Sequence, residues 1–190
     1  MSYQKTHIMI QTGQSLRKLY FLRAAFSILW VILLSVFVKT NPQIASILFV
    51  IYPAWDVFAT YLDIKANPHY VSKTPQYVNM GIGILATAGV ALALQKGVPE
   101  SLIVFGVWAL VTGLIQLVLG LRRRKELSGQ WPMILSGGQS MLAGTVFIIM
   151  AHAPTMGINS LAGYAAFGAF YFLIAAIRLS KAKRTTQQAA

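Results

Sequence analysis

The chain has no cysteine and few charged residues, and each shortage excludes a class of protein. Without cysteine there is no disulfide, no thiolate zinc site and no thiol nucleophile. Only 11% of the 190 residues are charged, with 4 Asp and Glu against 16 Lys and Arg, whereas an average soluble domain is about 25% charged. Because so few charges cannot cover a water-facing surface of ordinary composition, the shortage excludes an ordinary soluble globular protein.

Apolar residues are abundant instead. They make up 56% of the chain, and the mean hydropathy is +0.62, which argues against disorder. A helix needs about 20 apolar residues to cross about 30 Å of hydrocarbon. Because backbone polar groups in lipid must be paired within their own segment, the sequence predicts an all-α, polytopic membrane bundle of six transmembrane helices. The six predicted spans are 19–38, 44–64, 77–94, 101–121, 133–151 and 157–177.

Polar segments flank this predicted transmembrane domain, which covers residues 19–178. Residues 1–18 are polar and basic, and we expect them in the cytoplasm or at the membrane interface. Residues 179–190 form a polar, basic C-terminal tail. The first span is too long for the apolar region of a signal peptide and lacks a small-residue cleavage site, so we expect it to be retained.

Lysine and arginine are distributed unevenly between the two ends of the spans. One side holds 14 of them and the other side only Lys39 and Lys96. Because basic loops stay in the cytoplasm, both termini are predicted to be cytoplasmic and the protein to lie in the cell's inner (plasma) membrane. The 14 residues are Lys5, Arg17, Lys18, Arg23, Lys65, Lys73, Arg122, Arg123, Arg124, Lys125, Arg178, Lys181, Lys183 and Arg184.

A basic cluster follows the fourth span and consists of Arg122, Arg123, Arg124 and Lys125. Anionic headgroups attract such charges by about 1 kcal/mol each, so we predict lipid headgroup contact and a bilayer with anionic cytoplasmic lipids as the partner. Nucleic-acid binding would also explain a net charge of +12. It is disfavoured because the charges are scattered over short segments with no aromatic-rich soluble module between them.

The chain repeats a unit of about 56 residues three times, over about 19–65, 77–122 and 133–178. Pro42, Pro99 and Pro154 each follow an odd-numbered span and are predicted to open the next helix. Because each unit holds two spans, the three helical hairpins are parallel, unlike the inverted repeats of many carriers. Equivalent positions are Ala25, Gly81 and Gly137, then Asp56, Gly113 and Gly168, then Asp63, Gly120 and Ala175.

Small residues recur every four positions on three spans, a spacing that lets helix backbones approach closely in a membrane. We predict a seam within one bundle, and contact in a homo-oligomer is the alternative. The residues are Ser136, Ser140 and Gly144 on the fifth span, Gly89 and Ala93 on the third, and Ala165 and Ala169 on the sixth.

The second repeat shows the unit most clearly, as MGIGILATAGVALALQKGVP followed by WALVTGLIQLVLGLRRRK. The unit consists of a small-residue span, an outer turn ending in proline and a span with a basic end. It resembles the repeat of the HdeD-like family of short-repeat bacterial membrane proteins. The resemblance covers about residues 17–184. It implies six spans and a connection with acid or envelope stress, and it carries over no catalytic or binding residue.

Three ionisable residues lie inside the spans, namely Arg23, Asp56 and Asp63. Each costs about 2.5–3.5 kcal/mol to insert, so such residues are functional candidates. Asp56 lies roughly 20 Å into the second span, and Asp63 is on the same helix face. Either aspartate can form an ion pair with Arg23 between the first two helices. Alternatively, Asp56 lines an aqueous cavity and binds a proton or cation, or faces a subunit contact.

Neutral polar residues and histidine form a second group of candidates. Gln116 and Gln139 lie within spans, where hydrogen bonding between helices is the usual role and substrate binding the alternative. His152, at the outer end of the fifth span, is a candidate pH sensor because imidazole titrates near neutral pH. The three histidines lie on opposite faces and cannot form one metal site. We therefore predict no metal and no cofactor.

No enzymatic motif is present in the sequence, so the predicted function is non-enzymatic. The first interpretation is an HdeD-like inner-membrane protein connected with acid or envelope stress. The second is a small proton or cation channel or transporter centred on Asp56, with Arg23 and Gln116 on its pathway. The third is a membrane scaffold that binds lipids or partners through its basic ends.

Overall fold

The computed structural model describes residues 2–67, 72–125 and 130–188, and the side chains of 13–67, 72–125 and 130–180. Within these ranges the chain forms six helices and no strand, and all six are long and apolar enough to cross a membrane. The predicted all-α polytopic bundle is confirmed. The helices are α1 (Ser2–Thr40), α2 (Pro42–Ala66), α3 (Thr74–Ala93), α4 (Val98–Arg123), α5 (Trp131–Met150) and α6 (Ser160–Gln188).

The first and last helices extend beyond the predicted spans. Helix α1 includes the polar segment before residue 19, and α6 continues through most of the predicted tail to Gln188. Leucine, lysine, arginine and glutamine all favour helix, so the helices continue past the apolar stretches. Among the predicted cytoplasmic charges, Lys5, Lys181, Lys183 and Arg184 lie outside the residues whose side chains are described.

Two of the three outer prolines begin helices as predicted, and the third does not. Pro42 and Pro99 lie in the first turns of α2 and α4, and the Asn41 side chain accepts hydrogen bonds from the first turn of α2. Pro154 instead lies within a series of turns, and α6 begins only at Ser160. The short stretch after Pro154 forms turns stabilised by their own backbone hydrogen bonds, so the prediction that Pro154 opens the sixth helix is wrong.

The six helices form a ring. Among the described residues each helix packs against its neighbours in the chain, and α6 closes the ring on α1. The most extensive contacts join α4 to α5 and α1 to α6, which belong to different predicted repeats. The two helices of each predicted hairpin are less closely packed. Packing between hairpins therefore holds the ring together.

A seam of glycines explains why α4 and α5 approach so closely. A Cβ atom added to Gly113 would lie 2.8 Å from the backbone oxygen of Gly137, and one added to Gly106 would lie 2.7 Å from that of Gly144. At this crossing the backbone of one helix occupies the space that a side chain of the other would need, so only glycine fits. The fifth-span stripe containing Gly144 thus packs inside the bundle.

An aromatic plug, defined as Trp30, Phe49, Tyr52, Phe105, Trp108, Phe147 and Tyr164, fills the ring in the half away from the chain termini. Phe105 is fully buried, and its ring centroid lies 5.0 to 5.5 Å from those of Trp108, Phe49, Phe147 and Tyr164. Large apolar side chains such as Leu85 and Ile149 are exposed on the outside of the ring, as a lipid-facing surface requires.

Substituting Gly137 with alanine should destabilise the seam. The added Cβ would lie 2.7 Å from the Leu117 backbone nitrogen, and backbone cannot move aside cheaply. We expect the free energy of unfolding, measured by denaturant titration in detergent, to fall by about 2 kcal/mol. Gly138→Ala is the matched control, since nothing lies within 4 Å of its added Cβ. Equal stabilities of the two variants would show that the close approach is unimportant.

Candidate functional site

A partly open polar cavity of about 140 Å³ lies inside the ring, between the aromatic plug and the end that carries the chain termini. All six helices contribute residues to its lining. Polar side chains in a membrane are stable only when they face the bundle interior, so those of each helix point towards this space. The polar residues that line it are Tyr20, Arg23, Ser27, Tyr52, Asp56, Thr60, Asp63, Gln76, Asn79, Thr112, Gln116, Arg123, Gln130, Ser136, Gln139, Ser140, Tyr164 and Tyr171.

At the centre of the cavity wall, Asp56 forms an ion pair with Arg23. The guanidinium Nη1 donates to the Asp56 Oδ1 atom over 2.6 Å, and both side chains are largely buried, at 15% and 17% exposure. On the other side, the amide of Asn79 donates to Asp56 Oδ2 over 2.9 Å and to the Thr60 hydroxyl over 3.0 Å. Both carboxylate oxygens are thereby hydrogen-bonded, and three helices are joined.

The positions of these partners follow the predicted repeat. Arg23 and Asn79 are each two residues before an equivalent small residue, Ala25 and Gly81, so they occupy matching positions on α1 and α3. Helix α2 lies between those two helices in the ring. Asp56 can therefore bind Arg23 of α1 with one carboxylate oxygen and Asn79 of α3 with the other. Where the other two repeats have glycine, the first repeat has this carboxylate.

Asp63 has a different basic partner. Its Oδ2 atom lies 3.1 Å from Nη2 of Arg123, and its Oδ1 atom accepts from the Asn67 amide over 3.0 Å. The sequence predicts lipid contact for Arg123 together with its neighbours. The structure separates Arg123 from these neighbours. Arg122, Arg124 and Lys125 are exposed, whereas Arg123 lines the cavity. The remaining three stay candidates for headgroup contact, and Arg124 lies over the Trp131 ring.

Four glutamines line the cavity, and the sequence singles out two of them. Gln116 donates to the Met133 backbone carbonyl over 3.3 Å, linking α4 to α5, and Gln139 lines the wall. Gln76 and Gln130, which the sequence analysis missed, are 3% and 1% exposed. Within the described part of the chain, the Gln76 side-chain oxygen and both Gln130 amide atoms have no hydrogen-bond partner. Both residues lie at the start of helices, where the polarity of a residue does not indicate that it lines a cavity.

His152 is exposed in the turn after α5, on the opposite side of the plug from the cavity. Its role as a pH sensor stays a prediction. Across residues 13–67, 72–125 and 130–180, no three His, Asp or Glu side chains are grouped in a way that could hold a metal ion.

The inner end of the cavity is formed by plug residues together with Ser140, which the sequence predicts to lie in a packing seam. Ser140 donates to the Ala109 carbonyl over 2.9 Å and lies 2.7 Å from the Tyr164 hydroxyl. Trp108, Tyr52 and Tyr164 also line the cavity. Tyr52 and Trp108 lie near the middle of their helices and Tyr164 lies close to the start of α6, so no shared position in the sequence marks them as cavity residues.

Comparison with known proteins finds one matching family and gives no function. Residues 79–149, somewhat more than a third of the chain, match the family model of a short repeat of unknown function (DUF308), the repeat of HdeD-like membrane proteins. The matched range covers most of α3 together with α4 and α5. No curated protein and no solved structure matches the chain. The protein is therefore similar to that family from α3 to α5 and is an integral, multi-pass membrane protein.

Removing Arg23 should destabilise the bundle because Asp56 would be left as an uncompensated charge. We expect Arg23→Gln to lower the free energy of unfolding in detergent by about 3 kcal/mol. The double variant Arg23→Gln with Asp56→Asn should regain most of that loss, since the remaining amides can hydrogen-bond. Arg124→Gln is the control on an exposed arginine. If the two single arginine variants are equally stable, the ion pair contributes nothing.

Proposed function

We propose that this protein transports a small polar solute or ion, which enters the central cavity from the basic end and meets the Arg23–Asp56 pair. The observation that carries the proposal is the position of that pair. It lies roughly 15 Å from the end of α2 at Ala66, at membrane depth, and faces a cavity. Intramembrane charges that face a cavity are typical of solute and ion pathways.

The arrangement of polar groups along the cavity supports the same function. Gln76, Arg123 and Gln130 lie near the helix ends, Asp56 lies deeper, and Tyr164 lies at the plug. A solute that moves inward would exchange hydrogen bonds from one group to the next. Beyond the plug, passage would require Phe105 and its neighbours to move, because their rings fill the interior of the ring of helices.

Flux into liposomes that contain the purified protein tests the proposal. We would follow protons with an entrapped pH dye, potassium with a selective electrode and acetamide by osmotic swelling. At least one flux should exceed that of protein-free liposomes. The Arg23→Gln, Asp56→Asn double variant should reduce it about tenfold, because the charged pathway is lost while no charge is left unpaired.

Glu100→Gln is the matched control, since this carboxylate lies in the first turn of α4 at the opposite end and does not line the cavity. It should leave the flux unchanged. The proposal fails if no probe crosses faster than in protein-free liposomes, or if the double variant transports as fast as the native chain.

The match of residues 79–149 to the short repeat favours a second candidate function. In it the chain is a non-enzymatic, HdeD-like protein of the inner membrane that has cytoplasmic termini and contributes to tolerance of acid or envelope stress. A strain lacking the protein should then survive exposure to low pH about tenfold less well than its parent. Restoring the gene should restore survival, and reporter fusions to the last residue check the placement of the termini. Equal survival of the two strains would remove this candidate.

A further inference from the structure

The guanidinium of Arg23 keeps hydrogen-bond donors that the protein does not use. Of its five N–H groups, one donates to Asp56 and one donates to the Thr60 hydroxyl, over 3.4 Å. The other three have no acceptor among the residues that the structure describes. The side chain lines the cavity and is 15% exposed, so a molecule in the cavity can reach it. Arg23 is therefore a candidate donor for a bound ligand.

Two neighbours hold this guanidinium in a fixed orientation. Asp56 binds one edge over 2.6 Å, and the ring of Phe172 on α6 covers one face, with its centroid 5.3 Å from the guanidinium carbon. A planar guanidinium presents its N–H groups at its edges, so the ring over its face leaves them accessible. The unused donors are thus in place before a ligand arrives, which lowers the entropic cost of binding.

The carboxylates of the cavity, in contrast, are already hydrogen-bonded. Asp56 accepts from Arg23 with one oxygen and from Asn79 with the other. Both oxygens of Asp63 have donors as well. A cation would have to displace one of these donors to reach a carboxylate oxygen. An anion or a neutral carbonyl group can instead accept from Arg23 without breaking an existing bond.

The end of the ring that carries the chain termini is strongly basic. Six exposed cations lie there, and we call them the basic mouth. Among the described residues, the carboxylates on this side of the plug are Asp56 and Asp63, both in the cavity wall. Glu126 lies outside the described residues and offsets at most one of these charges. Such a set of charges attracts anions and repels cations. The basic mouth consists of Lys18, Lys65, Arg122, Arg124, Lys125 and Arg178.

We propose that the cavity is an anion-binding site, in which a small carboxylate attracted by the basic mouth accepts hydrogen bonds from the unused N–H groups of Arg23. This inference rests on the proposed function, since it identifies the class of solute that the cavity takes. Small anions bind best, neutral carbonyl compounds bind less tightly and cations are excluded. A volume of about 140 Å³ is well above the roughly 15 Å³ that one water requires, so an anion of a few heavy atoms fits.

Three molecules of nearly the same planar shape separate the effect of charge from that of size. Acetate is negative, acetamide is neutral and acetamidinium is positive. Gluconate, a much larger anion, serves as the counterion of acetamidinium and as the salt blank.

The NMR signal of the Arg23 Nε–H group provides the measurement, in protein with ¹⁵N-labelled arginine in detergent micelles. The Arg23→Gln, Asp56→Asn double variant assigns this signal by its absence. Acetate should shift the signal until it saturates. Acetamide should require about tenfold higher concentrations, because it lacks the Coulomb attraction, and acetamidinium should cause no saturable shift. The signal of the exposed Arg178 should not saturate with any of the three.

A pair of charge variants tests the basic mouth without changing the cavity wall. Arg124→Gln with Lys125→Gln removes two exposed cations of the mouth, and Lys39→Gln with Lys96→Gln removes two exposed lysines at the opposite end. The first variant should weaken acetate binding about threefold, since less positive potential remains at the entrance, and added salt should reduce this difference. The second should bind acetate as the native chain does.

The site is overturned if acetate causes no saturable shift of the Arg23 signal, if acetamidinium shifts that signal as strongly as acetate, or if the two charge variants bind acetate equally well. Failure of the proposed function looks different. Saturable acetate binding in micelles without flux in liposomes removes transport and keeps the site, whereas flux of a probe without a response of Arg23 to acetate removes the site and keeps transport.

Discussion

The bond between Arg23 and Asp56 determines how the first half of this bundle is arranged. Lipid offers no partner for either charge, so each must find one inside the protein. Asp56 holds α1 through the guanidinium and α3 through the amide of Asn79. The spacing of α1 and α3 around α2 therefore depends on hydrogen bonds of fixed length, and the cavity lies beside them.

The second half of the ring is held by a different interaction. Between α4 and α5 the backbones themselves make contact through the glycine seam, and this close packing adds to the hydrogen bonds that Gln116 and Ser140 make between the two helices. One side of the molecule is thus joined by an ion pair and its polar neighbours, and the other mainly by dispersion between close backbones. The cavity lies between the two, bounded on its inner end by aromatic rings.

Much of this fold could be predicted from the sequence because the bilayer imposes simple rules. Apolar length gives the six spans, and the scarcity of charge directs attention to Arg23, Asp56 and Asp63. The sequence could not decide which aspartate binds Arg23, since both lie on one helix face within reach of a long side chain. Arg123 is indistinguishable from its basic neighbours in sequence, and only the rotation of α4 turns it inward towards Asp63. Trp108 is buried inside the ring because of the rotation of α4, which the local sequence pattern does not fix.

The ring arrangement has a consequence for biosynthesis. Contacts between α6 and α1 close the ring, so the ring is complete only after α6 has left the ribosome. The partners Arg23 and Asp56, by contrast, belong to α1 and α2, which are made before the other four helices of the ring. The nascent hairpin can neutralise its own charges as it enters the bilayer, well before the rest of the protein exists to shelter them. Placing the costly residues early, and beside each other, lets the membrane accept them as a pair.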